Sequence, residues 1–281
     1  MTGGVIRIRH QTGFTYEGPV STSYNEARMT PQTEPRQTTL DARVDVWPPA
    51  RTQRYWDYWG TQVFAFDLQV PHSTLTVTAT ATVDTRPADP PDETVTWGDL
   101  DTGAVRDRWC EYLLPTGLTA IDEELAAVAA DLRSNTGPAD AAAAVWEFLD
   151  ANLAYQPGST GVSTSAMQAW GQRSGVCQDN SHLAIGLLRA AGIPARYVSG
   201  YLHPDPSAAV GEPVVGQSHA WVEWWGGAWT PYDPTNKVPV TERHVVVGRG
   251  RDYADVPPLK GVYSGPPSNA QGVTVEIVRL R

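Results

Sequence analysis

A chain of 281 residues is long enough for one large domain or two ordinary ones, and it can bury a substantial core. Hydrophobic residues make up 41% and charged ones 19%, with eleven Trp and eleven Tyr, which excludes a disordered or collagen-like chain. Thirty-one acidic against twenty-one basic side chains leave a net charge of −10, which opposes binding to nucleic acid or anionic lipid. The N-terminal segment MTGGVIRIRHQTG alternates apolar and polar residues and lacks the form of a secretory signal. No apolar run approaches the roughly 20 residues of a membrane span, so a soluble cytoplasmic protein is expected. With only Cys110 and Cys177, a disulfide framework is excluded, though one bridge is not, and in a reducing compartment both are expected as free thiols.

The first eighty-odd residues show a period of two. In TTLDARVDVW the apolar positions are Leu40, Ala42, Val44 and Val46, which predicts a half-buried strand. STLTVTATATVDT repeats the pattern through Leu75, Val77, Ala79, Ala81 and Val83; VIRIRHQTGFTYE and QVFAFDLQV give two more strands. An antiparallel β-domain over residues 1–88 follows. RPADPPDET, residues 86–94, carries three prolines and no apolar period, and marks the boundary.

Beyond it, over residues 95–281, the period changes. TAIDEELAAVAADL predicts a helix from Thr119, with Asp122 three residues on as a capping partner. A second helix starts near Pro138, a residue suited to the first helical turn, and runs through AAAAVWEFLDANL. QDNSHLAIGLLRAAG is a third, with Gly192 as a stop and Pro194 preventing continuation. ARYVSGYL, HAWVEWW, AWTPYDP and GVTVEIVRL then read as strands, so the second part is α+β, with helices preceding a sheet.

Cys177 stands in SGVCQDNSHLAIGLL, after a glycine-containing turn and at the start of the third helix. Unpaired amides and the positive end of the helix dipole stabilise a thiolate there, and the amide of Cys177 is placed to donate to an oxyanion. A buried cysteine that fills space is the alternative. His219, at the start of a strand, and Asp233, on the next strand, change the weighting, because acyl transfer needs a base and a group to hold its ring. Placing His219 opposite Asp233 centres their hairpin on Gly226, in a three-residue loop Trp225-Gly226-Gly227 with Trp224 paired to Ala228 and Gly227 at a left-handed position. A two-residue Gly226-Gly227 loop needs a bulge to keep both side chains on one face.

GVCQDNSHLAIGLLRAAGIPARYVSGYL and HAWVEWWGGAWTPYDPTN, within residues 163–236, resemble the core of the bacterial transglutaminase-like family of the papain-related thiol enzymes. Arg196, Tyr197, Gly200 and Tyr201 belong to the same pattern. GRGRDYADVPPLKGVYSG at 248–265 resembles the segment that follows this core, with an extra Gly-Arg that leaves Arg249 and Arg251 as alternatives for one role. IRIRHQTGFTYEGPVSTSYNEARMTPQ resembles the β-rich leader. The resemblance implies a papain/transglutaminase-like core of helices packed on an antiparallel sheet after the N-terminal antiparallel β-domain. It makes Cys177 the nucleophile, His219 the general base and acid and Asp233 the orienter of the imidazole. The implied reaction is acyl transfer at an amide of a protein or peptide through a thioester, resolved by water or an amine. Hydrolysis or deamidation is favoured over cross-linking, because water is present at about 55 M and no amine-binding feature is visible. A peptide N-glycanase-like amidase would share the chemistry, and a catalytically silent scaffold of the same fold is the alternative from another class.

Around the triad, Tyr155, Gln178, Asp179, Tyr201 and Trp221 are candidates for substrate or oxyanion contacts. Each has an ordinary alternative: capping for Gln178 and Asp179, packing for the three aromatics. His182, with Cys177, Asp179 and His219, is a weak metal set, since five residues along a helix turn its side chain away and no ligand pair of metal-site spacing is present. No metal, calcium or other cofactor is expected. His10, His72, His203 and His244 read as surface or loop residues and Cys110 as packing. Oligomeric state is left open.

Overall fold

The computed structural model describes residues 3–91 and 94–281; residues 92–93, inside the proline-rich boundary, lie outside it. The leading segment forms β1 (Gly4–Val20), β2 (Thr22–Ala27), β3 (Gln37–Trp47), β4 (Thr52–Trp56), β5 (Gln62–Leu68) and β6 (His72–Thr85). In β6 the alternation is complete: Leu75, Val77, Ala79, Ala81 and Val83 are all buried, with threonines between them. Strand β3 obeys it less well. Its register shifts at Leu40, which is 58% exposed, and of its four alternating apolar positions Val44 and Val46 are partly buried while Leu40 and Ala42 are exposed, as suits a strand at the end of its sheet.

The middle segment supplies the helices α1 (Trp97–Leu100), α2 (Gly103–Arg108), α3 (Glu123–Asn135), α4 (Pro138–Asn152), α5 (Ala166–Gln172) and α6 (Cys177–Ala190), with short β7 (Ala154–Tyr155) and β8 (Ser174–Gly175). Asp122 is itself the N-cap of α3, accepting from the Leu125 amide at 3.0 Å, whereas Thr119 is engaged in a turn with Thr116; the helix starts four residues later than its sequence suggests. Pro138 opens α4 as expected, and Gly192 takes φ +87° just beyond α6. Helices α1, α2 and α5 escape a periodicity reading because each is at most seven residues long. Every residue of α6 from Gln178 to Arg189 is buried, so this helix is surrounded: α3, α4 and α5 pack on it from one side and the sheet from the other.

The closing strands are β9 (Ala195–Leu202), β10 (Pro213–Trp225), β11 (Trp229–Asp233), β12 (Val238–Pro239), β13 (His244–Gly250), β14 (Leu259–Ser264) and β15 (Ser268–Arg279). A nine-stranded sheet runs β12-β11-β10-β15-β1-β6-β3, with β9 also on β10 and β13 on β9, and a four-stranded sheet runs β14-β2-β5-β4. The terminal strand β15 lies between β10 and β1, and β14 pairs with β2, so the last strands return to the leading ones. The proline-rich segment thus separates leading strands from helices, while the main sheet continues across it. Four packed regions result among the described residues: helices against β9 and β10, the two sheets against each other around Phe66 and Leu75, β1, β6 and β15 against β9 and β13 around Ile8, Tyr201 and Val245, and a small one of Val198, Trp221, Val240 and Val246.

Candidate active site

Cys177 is the first residue of α6, after Val176 in extended conformation, and is partly exposed. Its position at the helix N-terminus places free amide donors and the positive dipole end beside the sulfur. His219 sits within β10, opposite Gly200 of β9, rather than at a strand start. Asp233 ends β11 and is fully buried.

The β10–β11 hairpin pairs Trp225 with Trp229 and Val222 with Tyr232, so its three-residue loop is Gly226-Gly227-Ala228 and its centre is Gly227, one residue later than the sequence argument placed it. Gly227 adopts φ +84°, a left-handed position that disfavours a Cβ. The odd loop length keeps His219 and Asp233 on one face. On this register Asp233 falls across from Trp221 and reaches His219 diagonally, a separation that longer side chains span. His219 Nε2 is 2.7 Å from Asp233 Oδ2. Cys177 lines the same cleft as His219 and lies close enough to raise its pKa, and with Nε2 turned to Asp233 the other ring nitrogen, Nδ1, is left for the sulfur.

Asp233 is surrounded by donors. Oδ1 accepts from the amides of Thr235 (3.0 Å) and Asn236 (3.1 Å), and Oδ2 accepts from Asn236 Nδ2 (2.8 Å) and His244 Nε2 (3.1 Å) as well as from His219. Burial raises the pKa of its carboxyl, but hydrogen bonds from His219 and His244 outweigh burial and hold it well below the carboxylate range. Burial likewise opposes charge on His219, yet the hydrogen bond to Asp233 and the nearby Cys177 prevail and raise its pKa to about 10. At neutral pH the ring is therefore an imidazolium between a carboxylate and the sulfur.

The site opens into a cleft of about 350 Å³ whose walls include Tyr155, Tyr197, Gln217, Tyr253 and Gln178. Tyr155, 55% exposed, stands at this cleft beside Cys177. Gln178 donates from Nε2 to the carbonyls of Gly161 (3.4 Å) and Val162 (3.2 Å), and buried Asp179 accepts from the Val176 amide (2.8 Å) and Thr160 Oγ1 (2.6 Å). Both tie the loop over the cleft to the start of α6. Trp221 is fully buried, with its ring 6.1 Å from His219 and edge-on to His244 at 5.4 Å, so it backs the triad from the core.

Tyr201 is not part of this assembly. It is buried where β9 and β13 pack on β1, β6 and β15, hydrogen-bonded to His10 Nδ1 (3.0 Å) and to the Met29 carbonyl (3.3 Å); period two sets it on the same face of β9 as Tyr197 and Ser199 of the cleft wall, but farther along the strand, over the leading strands and not at the cleft. His10, His72, His203 and His244, expected as surface or loop residues, are all buried, and of the four His203 lies outside the strands; Cys110, expected to pack, is exposed. Arg249 and Arg251 also separate: Arg249 is bound to buried Glu223 and to Glu34, and Arg251 to Asp255. Sequence reasoning missed His244, Asn236, Tyr197, Gln217 and Tyr253. Asn236 had a signal, since Asp-Pro-Thr-Asn suits a turn in which Asp233 caps the following amides; His244 had none, being joined to the site only by the sheet.

His219, Asp233 and His244 bring three potential ligand atoms within 4.8 Å of one another. Their hydrogen bonds do not suit a metal. His244 Nδ1 accepts from the Thr241 amide at 3.1 Å, which places the ring proton on Nε2, the atom a metal at Asp233 would require.

The bacterial transglutaminase-like N-terminal region matches residues 6–84, and the transglutaminase-like superfamily core matches residues 126–234. An uncharacterized protein of Mycobacterium leprae is 48% identical over 275 residues, covering 98% of this chain and 99% of its own. A protein-glutamine gamma-glutamyltransferase of Pseudomonas aeruginosa is 37% identical over 103 residues, 34% of this chain and 15% of that one. The crystal structure of a candidate cysteine protease from Cytophaga hutchinsonii superposes with a TM-score of 0.81 at 25% identity, covering all of this chain and 92% of the other. No helix among the described residues is long and apolar enough to cross a membrane. With both regions matched in order on a shared fold, the chain belongs to the bacterial transglutaminase-like family.

Proposed function

We propose that this protein is a thiol amidohydrolase acting on amide bonds of protein or peptide substrates. The observation that carries the reading is the juxtaposition of Cys177 at a helix N-terminus with a His219 that is hydrogen-bonded to Asp233, at the wall of an open cleft. The Cys177 thiolate attacks the amide carbonyl carbon, and the carbonyl oxygen becomes an oxyanion that the Cys177 amide is placed to receive. As the tetrahedral adduct collapses, His219 Nδ1 gives its proton to the departing nitrogen, and a thioester remains. Neutral His219 then takes a proton from water, hydroxide adds to the thioester, and the carboxylic acid leaves as the thiolate reforms. Asp233 keeps the imidazole aligned and stabilises its charge throughout. Water resolves the thioester in preference to an amine because the cleft is open to solvent at about 55 M water. On a glutamine side chain the outcome is deamidation, and on a backbone amide it is proteolysis.

The test is iodoacetamide alkylation of Cys177 against pH, in the native protein and in His219→Ala. Rapid reaction at pH 6, where an isolated thiol of pKa about 8.5 is almost inert, and its loss with the histidine, supports an activated nucleophile. Glutaminyl peptides with and without an added primary amine then separate ammonia release with acid formation from cross-linking. Alkylation no faster than at exposed Cys110 would favour the silent scaffold.

A further inference from the structure

We propose that His244 is a positioning residue of this site, an imidazole that donates Nε2–H to Asp233 and so aims the carboxylate at His219. The inference rests on the thiol-enzyme reading above and adds a fourth residue to it.

The tautomer follows from the partners. Nδ1 of His244 faces the Thr241 amide at 3.1 Å and Thr241 Oγ1 at 3.3 Å; a backbone N–H only donates, so Nδ1 accepts and Nε2 carries the proton. That proton points at Asp233 Oδ2, 3.1 Å away, the same oxygen that receives His219 at 2.7 Å. Two imidazoles thus share one carboxylate oxygen, and they differ in what lies behind them. His219 has the thiol and the cleft, while His244 is enclosed by Thr241 and the edge-on ring of Trp221. The titratable or charged groups facing His244 are Asp233 from β11, His219 from β10 and Arg243 from its own segment. Burial lowers its pKa despite the Asp233 hydrogen bond, so it is a neutral donor and does not compete with His219 for the charge.

The placement of His244 is itself secured from the leading segment. Gln37 of β3 brackets Val246, two residues along β13, accepting its amide at 2.7 Å and donating to its carbonyl at 2.8 Å. The N-terminal region therefore fixes the strand that delivers the second imidazole.

Two variants matched in polarity but not in reach test the role. His244→Gln sets an amide N–H near the place of Nε2, whereas His244→Asn sets one near Nδ1, too short to meet Asp233. Alkylation of Cys177 is followed from pH 5 to 9, with Cys110 in the same molecule as the ordinary thiol. The expected result is a rate at pH 6 within about threefold of wild type for Gln and at least about tenfold lower for Asn, a rise of about one pH unit in the low-pH limb. Equal profiles for Gln and Asn on a reactive wild-type background overturn the positioning role and leave the triad standing. A wild-type Cys177 no more reactive than Cys110 overturns the thiol-enzyme reading, and this inference with it. Should the Asn variant not fold, nitrogen-15 NMR of the wild-type histidines decides: a neutral Nε2–H tautomer at His244 near pH 7 supports the role, and an Nδ1–H tautomer or an imidazolium overturns it.

Discussion

Glu223 on β10 and Asp233 at the end of β11 are both buried carboxylates held well below the ordinary range, but they are held by different partners. Burial works against the charge of Glu223, and Arg249 and Arg196 outweigh it, with Nε atoms of both within 2.7–2.8 Å of Oε2. Burial works equally against Asp233, where two imidazoles, a side-chain amide and two backbone amides supply the compensation. A guanidinium does not release its proton, so the Glu223 cluster is a fixed assembly that joins β9, β10 and β13 to Glu34. An imidazole does exchange protons, so the charge of Asp233 can be used by the sulfur on the other side of His219. On the proposed function, the difference between a structural and a chemical acid here lies in the partner and not in burial.

The largest effect expected from breaking this contrast is on reactivity. Asp233→Asn preserves shape but cannot support an imidazolium, so turnover should fall by about 10³–10⁴-fold and Cys177 alkylation at pH 6 should drop to the level of Cys110. Retained alkylation at pH 6 would show that Asp233 does not govern the thiol. Glu223→Ala should do the reverse. It leaves Arg196 and Arg249 buried without their shared partner, and a loss of about 3–5 kcal/mol in urea unfolding is expected. The fraction still folded should keep the wild-type alkylation profile; a changed profile would place Glu223 in the chemistry.

The two clusters were unequally legible in the sequence. The order Cys177, His219, Asp233 was readable because acyl transfer needs those side-chain types, and the odd loop around Gly226 and Gly227 kept two of them on one face whichever residue was central. Period two in β6 and the capped, glycine-stopped pattern of α6 gave the layers that position them. Partners delivered across the sheet were not readable. His244 reaches Asp233 because β13 lies on β9, and Gln37 reaches Val246 across some two hundred residues; no local pattern encodes either contact. Buried histidines look like surface ones in a sequence until their hydrogen-bond partners are known. The return of β14 and β15 to the leading strands was hidden for the same reason, since alternation identifies a strand but not its neighbour.

A smaller effect sharpens the contrast through pH. His219 has its pKa raised from 6.5 to about 10, so its folded-state interactions contribute stability that is complete below about pH 6.5 and is lost as pH rises through 10. Asp233 and Glu223 are depressed, so their contributions are present above the unfolded carboxylate range of about 4 and are lost as pH falls. Urea midpoints of wild type should therefore decline on the alkaline side between pH 6.5 and 10, and His219→Ala should flatten that decline and weaken the share of the acid side that Asp233 supplies, leaving the share that Glu223 supplies. An alkaline decline of the same slope in His219→Ala would assign it to other groups.

The smallest effect concerns an ion pair of similar chemistry in a different setting. Lys237 and Asp150 bridge the edge of a second groove next to His219, with side chains about half exposed. Water screens such a pair, and its usual worth is about 0–1 kcal/mol. Lys237 also adopts φ +59°, a left-handed conformation that costs a non-glycine residue roughly 1 kcal/mol. Lys237→Gly removes the pair, relieves the backbone and adds freedom to the unfolded chain; these terms oppose one another, and stability should change by no more than about 0.5 kcal/mol. A loss above about 1 kcal/mol would mean that the pair anchors the loop after Asp233, and would place it with the fixed Glu223 cluster rather than with ordinary surface charge.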